Sequence, residues 1–342
     1  MKETRTIDLH LPRGWNDCTT RELEQISAAM MLRQQQATRL RPFDWAKVKV
    51  DVVLAVNDLD VREDVRGQVP GRSQTRENVA ARDLSPDIRE NVAARDLSPD
   101  IPDIPYLVQF RHRKFFRRQA PFLITTGQMM DLCSRLDWID APQDKQQPLY
   151  RFPYPVLRLS LLHEYHGPDV MLNGYSWTEY RNLQDFMQNY MRAQNHLINV
   201  QQSPRATIEQ HYDALQTIDD ARACFLAVLF RAKGASANPV AACKPFRQFD
   251  PIKWQVILLW WSSLMQQLMA KFPRVFKAQP VKSRRAAKSQ SPWDFYNHVT
   301  ATLADEFKTS ETDQANETYS VTLQKLENMA QKSAELEKLS KK

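Results

Sequence analysis

One short segment carries the residue types of a metal site. The run His163-Glu164-Tyr165-His166 brings two imidazoles and a carboxylate together, and both groups are common zinc ligands. Zinc-binding helices, however, place two histidines four residues apart on one face, whereas these two are three apart. Gly167-Pro168 would also end a helix at once. The segment therefore predicts no metal site, and we expect no cofactor.

Cysteine chemistry is not indicated either. The four cysteines, Cys18, Cys133, Cys224 and Cys243, are far apart in the sequence and lack the paired spacing of zinc clamps or redox motifs. We expect reduced and mostly buried thiols, as in a cytoplasmic protein.

The common catalytic signatures are absent from the sequence. It has no Gly-x-Ser-x-Gly turn, no phosphate loop with Gly-Lys-Ser/Thr and no dinucleotide fingerprint. Acidic pairs such as Asp219-Asp220 and Asp305-Glu306 are expected at helix ends or on solvated faces, where they complement the helix dipole. The sequence therefore predicts a protein that is not an enzyme.

Positive charge is concentrated in two places. The denser cluster surrounds Phe115 and Phe116 and consists of Arg111, His112, Arg113, Lys114, Arg117 and Arg118. Cations neutralise phosphates and aromatic rings stack on bases, so this pattern suits a nucleic-acid contact. It suits the charged edge of a hairpin equally well. A second basic segment, 277–288, is typical of either a phosphate contact or a solvated linker.

Composition points to a folded helical protein. The 342 residues are 42% hydrophobic and 25% charged, as in globular chains. Only 7 are glycines, fewer than strand-rich folds need. The longest apolar run, Val256–Trp261, is far shorter than the roughly 20 residues that cross a bilayer, and the first residues have no apolar signal core. We expect a cytoplasmic protein that does not enter membranes.

Residues 1–61 and 106–147 predict a small α+β part. Thr19 and Glu22 form a capping box at the start of a helix. Val48–Val52 alternates apolar and charged residues, which favours a strand, and Tyr106–Phe110 is a second candidate strand. A further helix is expected from Thr126.

Between these two stretches, residues 62–105 form an insertion. A segment of 13 residues at Arg76–Ile88 recurs unchanged at Arg89–Ile101. The unit is too short for a solenoid, whose repeats need roughly 20 residues or more. A flexible duplicated surface loop is the simpler interpretation, with a partner-binding motif presented twice as the alternative.

Residues 148–276 predict a helical bundle. The proline-rich stretch Pro148–Pro155 should cross the surface in an extended form. Ser176 and Glu179 form a capping box for a helix to about Asn195, and two more helices are expected over Ala206–Ile218 and Asp220–Arg231. Asp250-Pro251 then caps a long helix, Ile252–Phe272, that is apolar nearly all round and should be the buried centre of the bundle or lie against a partner.

The last part of the chain predicts a basic linker, 277–291, and a terminal helical arm, 292–342. After a helix from Pro292 to Phe307, a charged helix from about Asp313 to Leu339 has a narrow apolar seam. Such a seam is how a helix meets one other helix. The overall prediction is a mainly α fold, with a C-terminal helical bundle, a smaller N-terminal α+β part and a disordered insertion.

Several segments resemble a group of tail assembly proteins of Mu-like prophages. They are Leu11–Asp17 with its capped helix, Asn173–Tyr180, the helix that contains Trp260-Trp261 and ends in Phe272–Phe276, and the Trp293 helix with its charged arm. The resemblance covers about half the chain, in four blocks. It implies a chaperone that is made beside the tail tube and tape-measure proteins and binds one of them. A tape-measure protein is a very long helical chain, so its binder needs adaptable apolar helix faces.

The resemblance and the apolar periodicity together predict a partner-binding groove between the long helix and the terminal arm. Its residues would be Trp254, Ile257, Trp260, Trp261, Leu264, Leu323 and Leu326. Two alternatives stay open: a nucleic-acid-binding accessory protein that uses Arg111, Arg113, Lys114, Arg117, Arg118 and the segment 277–288, and a structural component of the virion.

Overall fold

The computed structural model describes residues 9–37, 42–61, 106–110, 122–142, 148–159, 164–232, 242–276 and 292–340. The chain divides into two compact units, residues 1–146 and 147–342. Helices dominate both units, and each has one small antiparallel sheet. The predicted mainly α fold with a C-terminal helical bundle is confirmed. The insertion 62–105 and the linker 277–291 lie outside the described residues.

In its described residues, the first unit packs three helices with a three-stranded sheet. Its elements are α1 (Thr20–Gln36), α2 (Trp45–Val56), β1 (Leu59–Val61), β2 (Tyr106–Phe110), β3 (Phe122–Ile124) and α3 (Thr126–Ser134). Strand β2 is central and pairs antiparallel with β1 and β3, with Asp60 opposite Gln109 and Leu107 opposite Leu123. The predicted capping box at Thr19 and Glu22 and the predicted strand β2 are both confirmed.

The strand predicted over Val48–Val52 is wrong, since these residues belong to α2. Asp44 caps this helix by accepting from the Ala46 amide at 2.9 Å. Val48 and Val52 are four residues apart and both fully buried, together with Val53. An alternation of five residues also fits a helix whose valines point inward, so the pattern was too short to separate the two periods.

The second unit is the helical bundle. Its elements are β4 (Val156–Arg158), β5 (Glu164–His166), α4 (Trp177–Gln202), α5 (Ile208–Leu229), β6 (Arg231–Ala232), α6 (Pro251–Lys271), α7 (Pro292–Phe307), α8 (Glu311–Asn316) and α9 (Tyr319–Ser340). Strand β5 pairs antiparallel with β4 and β6. The Ser176–Glu179 capping box and the Asp250–Pro251 start of α6 are confirmed.

Two predicted helix boundaries are corrected. The expected break at residue 219 does not exist, because α5 runs unbroken from Ile208 to Leu229. The neighbouring carboxylates pair with arginines instead of ending the helix, Asp219 with Arg222 at 2.7 Å and Asp220 with Arg247 at 3.0 Å. Helix α4 also continues beyond Asn195, to Gln202.

The predicted single terminal helix is two helices, α8 and α9, separated at Glu317 and Thr318. In this break the Trp177 amide donates to the Glu317 carbonyl at 2.7 Å, and the Tyr319 amide donates to the Tyr175 carbonyl at 3.0 Å. The break therefore satisfies backbone groups at the start of α4, which a continuous helix would leave unpaired.

The segment Pro148–Pro155 does not simply cross the surface as predicted. Leu149, Phe152 and Tyr154 are all buried, and the Phe152 ring lies 4.7 Å from the ring of Trp260. Prolines prevent a helix here, but the aromatic residues between them complete the core of the bundle.

Candidate partner-binding site

The predicted groove along α6 is filled by the chain itself. Five of the seven predicted residues, Trp254, Ile257, Trp260, Trp261 and Leu264, are at most 5% exposed. The Trp254 ring lies 5.0 Å from Tyr190 of α4 and 5.5 Å from Phe225 of α5. Phe225 also meets Trp261, at 5.1 Å. The sequence predicted that α6 is either the buried centre of the bundle or a helix that lies against a partner, and the structure shows it buried at the centre. A partner does not reach these five side chains in this conformation.

The two remaining residues lie on α9. Leu323 is buried, at 2% exposure, whereas Leu326 is half-buried. From there towards the C-terminus the helix emerges from the bundle, and Leu336 and Leu339 are 67% and 66% exposed. The structure therefore separates the seven predicted residues, since it leaves only Leu326 near an open surface.

The first half of α9 is anchored firmly. The rings of Tyr319 and Tyr180 stack with 4.9 Å between their centroids, and the Tyr319 hydroxyl donates to the Met171 carbonyl. Further along, the Glu327 carboxylate accepts from the amides of Arg274 and Val275 at 2.9 and 3.1 Å. These contacts fix the direction in which the exposed half of α9 leaves the bundle.

A cluster of hydrogen-bonded polar side chains stabilises the joint between α8 and α9. The Glu317 carboxylate accepts from Lys325 at 2.7 Å, from Gln314 at 2.7 Å and from Thr322 at 3.1 Å. Partial burial raises the pKa of Glu317, but these three hydrogen bonds outweigh it and lower the pKa below its ordinary value. The joint is therefore strongest while Glu317 is ionised.

A groove opens where α7 ends beside α9. Helix α7 stops at Phe307, whose side chain is 40% exposed, and the Lys325 ammonium lies 4.5 Å from the centre of that ring. The groove continues along α9 past Met329 and Lys332. We call Met329, Leu336 and Leu339 the terminal stripe. They lie on the side of α9 that α7 would cover if it were longer, because 3.6 residues per turn bring positions 329, 336 and 339 to one side.

A second open surface lies on the hairpin of α4 and α5. The two helices meet through a narrow seam: Ala193 and Val200 of α4 and Ala214 of α5 are buried, whereas most of their neighbours are exposed. One side of the hairpin is a polar groove, lined by Asn189, Arg192 and His196 of α4 and by Thr217, Asp220 and Cys224 of α5.

On α5, Ile208, Tyr212 and Leu215 are 89%, 66% and 50% exposed. They do not line the polar groove. Sequence periodicity did not identify them as a surface, because their spacing of four and three residues is the same as that of a helix face buried in a core.

Cys224, which lines the polar groove, lies beside Cys243 of a distant part of the sequence. Burial and, to a smaller extent, the neighbouring Cys243 raise the pKa of the Cys224 thiol to about 12. Cys18 and Cys243 are also buried and Cys133 is half-buried, as predicted for mostly buried thiols. The Cys224 thiol therefore stays protonated and unreactive at neutral pH.

The predicted basic contacts cannot be placed. Arg111, Arg113, Lys114, Arg117, Arg118 and the segment 277–288 all lie outside the described residues. The same holds for His163, while the imidazole of His166 lies 3.8 Å from the Glu164 carboxylate on β5. Within the ranges that the structure describes, no three histidine, cysteine or acidic residues cluster as metal ligands would, and no helix is long and apolar enough to span a bilayer.

Comparison of the chain with known protein families, with curated proteins and with solved structures finds no match.

Proposed function

We propose that this chain is a phage or prophage tail assembly protein, a chaperone in the host cytoplasm that binds the tape-measure or tail tube protein through apolar helix faces. One observation carries the proposal: the second half of α9 leaves the bundle with Leu336 and Leu339 of its terminal stripe exposed and Met329 half-buried. The partner site thus moves from α6, where the sequence placed most of it, to α9 and the end of α7.

The occupant of this site is an amphipathic helix of the partner. Such a helix would continue the direction of α7, with its apolar side chains against Phe307, Met329 and Leu336. Burying two leucines that are two-thirds exposed contributes about 1 to 2 kcal/mol each, so several such contacts are needed for micromolar binding. A long tape-measure helix offers apolar positions at intervals of three and four residues, and it would aggregate if they stayed uncovered.

The charges beside the stripe suit a partner helix of mixed charge. Lys332 and Glu335 both line the groove, so it presents one positive and one negative side chain of α9. Flanking pairs of this kind set register and orientation between helices more than they add affinity. Nucleic acid is less suited to this groove, because Glu306 and Glu335 balance Lys325 and Lys332 in its lining and leave no excess of positive charge for phosphates.

Co-expression with the tape-measure protein encoded beside this chain tests the proposal. The unmodified chain should keep that partner in the soluble fraction, whereas the double variant Leu336→Glu/Leu339→Glu should let it sediment. Ala334→Glu is the matched control, since Ala334 is exposed on the opposite side of the same helix. Partner solubility that does not depend on the presence of this chain would contradict the proposal.

A virion structural component would act at a different stage. Mass spectrometry of purified particles distinguishes the two functions, because a chaperone leaves before the particle is complete and a structural component stays. Recovery of this chain in mature particles at stoichiometric levels would replace the chaperone proposal.

A further inference from the structure

Between the tip of the hairpin of α4 and α5 and the ion pair of Asp219 with Arg222, one side of the hairpin has no lysine, arginine, aspartate or glutamate. At 3.6 residues per turn, the side opposite the polar groove includes six side chains that we call the hairpin face. They are Met191, Gln194, Ile198, Ile208, Tyr212 and Leu215. The two helices are antiparallel. Residues that are rotated in the same direction away from the line of contact, counted in residue order along each helix, therefore lie on the same side of the hairpin.

The polar groove supports this placement independently. Its lining residues, such as Arg192 and His196 of α4 and Thr217 and Asp220 of α5, are displaced from the seam in the opposite sense on both helices. The groove side of the hairpin therefore carries charged groups along its length, whereas the other side carries four aliphatic side chains, a tyrosine and an amide, with the half-buried His211 beside them.

The apolar side chains of the hairpin face are well exposed to solvent. Ile208 and Tyr212 are 89% and 66% exposed, and Met191, Ile198 and Leu215 are each about half exposed. Further along α5 the same side ends at Asp219 and Arg222, which pair with each other at 2.7 Å. No unpaired charge of the hairpin thus borders the face at its base.

We propose that the hairpin face binds the hairpin face of a second copy of this chain, so that two hairpins form a four-helix contact with two-fold symmetry. In such a contact a surface meets itself, and every charged residue near the axis would face its own copy. A surface with no charge avoids this repulsion. Tyrosine and methionine are also enriched, and charged residues depleted, at the centres of protein interfaces.

A foreign partner is less suited to this face. A partner helix of a tail protein would be selected by charges that flank its apolar stripe, and the only acidic and basic residues of α4 and α5 that border this face, Asp219 and Arg222, already pair with each other. The occupant we assign is therefore a second copy, and this assignment does not depend on the proposed chaperone function.

The size of the face sets the strength of the contact. The face extends roughly 12 to 15 Å along the helices and roughly 20 Å across the pair, from a rise of about 1.5 Å per residue and a helix width of about 10 Å. This footprint is smaller than the about 800 Å² that each partner of a standard interface buries. We therefore expect a reversible dimer with a dissociation constant on the order of 10 µM.

Sedimentation equilibrium of the purified chain alone tests the inference, over about 1 to 200 µM to bracket that constant. The mean mass should rise from 39.9 kDa towards twice that value. Ile198→Glu and Tyr212→Glu each bring a charge into the contact and should weaken association at least about tenfold. Asn199→Glu is the matched control: Asn199 is exposed and adjacent to Ile198 but points away from the face, so this variant should associate like the unmodified chain.

All three substitutions replace exposed side chains, so the thermal unfolding temperature should stay unchanged and show that the fold is intact. A mass that stays monomeric over the whole range overturns the inference. So does association that Ile198→Glu and Tyr212→Glu leave unaltered. If the chain is monomeric and the two variants instead lose capture of the tail partner, the face belongs to a foreign helix and the dimer is rejected.

Discussion

The ring of Tyr180 stacks on the ring of Tyr319 with their planes 21° apart. This contact joins the first turn of α4 to the first turn of α9, although the two residues are far apart in sequence. Both side chains are buried, and burial raises the pKa of both phenols, that of Tyr319 to about 12. The pair keeps its protons at any physiological pH and holds the terminal arm in place by packing and hydrogen bonding alone.

Two substitutions of Tyr319 separate its hydroxyl from its ring. Tyr319→Phe removes only the hydrogen bond to the Met171 carbonyl and should lower the free energy of unfolding by about 1 kcal/mol. Tyr319→Ala also leaves a cavity and should cost about 3 to 5 kcal/mol. Urea unfolding followed by circular dichroism measures both values. Equal losses for the two variants would show that the ring contact adds nothing.

Local signals in the sequence predicted local structure well. The capping boxes at Thr19 and Ser176 each involve residues three positions apart, so they can be recognised without knowledge of the tertiary fold. The apolar circumference of α6 likewise predicted its burial, because a helix that is apolar all round must be covered.

The surfaces were harder to predict, since periodicity shows that a face is apolar but not what covers it. Trp260 and Tyr212 both belong to helical apolar patterns, yet Trp260 is 1% exposed and Tyr212 is 66% exposed. The difference depends on which helices reach each position, and that is set by the tertiary fold. The break between α8 and α9 was missed for the same reason, because it serves a pairing with the distant start of α4.

The Glu327 carboxylate is expected to contribute measurably to the free energy of unfolding of residues 147–342. Besides the two backbone amides, it accepts from the Arg274 guanidinium at 2.9 Å, and its side chain is 8% exposed. Glu327→Gln keeps the shape but loses the charge, so we expect the free energy of unfolding to fall by about 1 to 3 kcal/mol. Glu335→Gln, on the exposed end of the same helix, should change it by less than about 0.5 kcal/mol. Thermal unfolding of the two variants makes the comparison, and equal effects would contradict the assigned role.

The lowered pKa of Glu317 predicts how the free energy of unfolding depends on pH. Its pKa is lowered in the folded state from an ordinary value of 4.5. A lowered folded-state pKa stabilises the protein above the unfolded-state pKa, and this contribution is lost as the pH falls through the folded-state value. The unmodified chain should therefore lose stability more steeply than Glu317→Gln below about pH 4.5. Urea midpoints at several acidic pH values measure the difference, with a substitution of the exposed Glu311 of α8, Glu311→Gln, as control. If the urea midpoints of the unmodified chain and of Glu317→Gln fell equally steeply as the pH is lowered, the lowered pKa would be contradicted.

In the first unit, Lys49 bridges two carboxylates of unequal burial. Its ammonium lies 2.6 Å from Asp137 and 2.9 Å from Asp140, whose side chains are 69% and 25% exposed. Burial lowers the pKa of Lys49, but the two hydrogen bonds outweigh it and raise the pKa. Solvent screens the exposed pair more, so Asp137→Asn should cost less than about 1 kcal/mol and Asp140→Asn about 1 to 2 kcal/mol. Urea unfolding shows which of the two variants loses more free energy of unfolding. A larger loss for Asp137→Asn than for Asp140→Asn would contradict the argument from solvent screening.

Substitution of Trp260 tests whether α6 is a core helix or a partner-binding helix. Its ring packs at 4.7 Å against Phe152 and at 6.3 Å against Trp261, and its side chain is 1% exposed. Trp260→Ala should therefore lower the free energy of unfolding by about 3 to 5 kcal/mol through the cavity it leaves. Leu336→Ala on the exposed end of α9 should lower it by less than about 0.5 kcal/mol and reduce capture of the tail partner. Calorimetry and a pull-down with the tape-measure protein measure the two effects on the same preparations. If Trp260→Ala left stability unchanged but abolished capture, α6 would be the binding helix that the sequence first suggested, and the assignment of the site to α9 would be wrong.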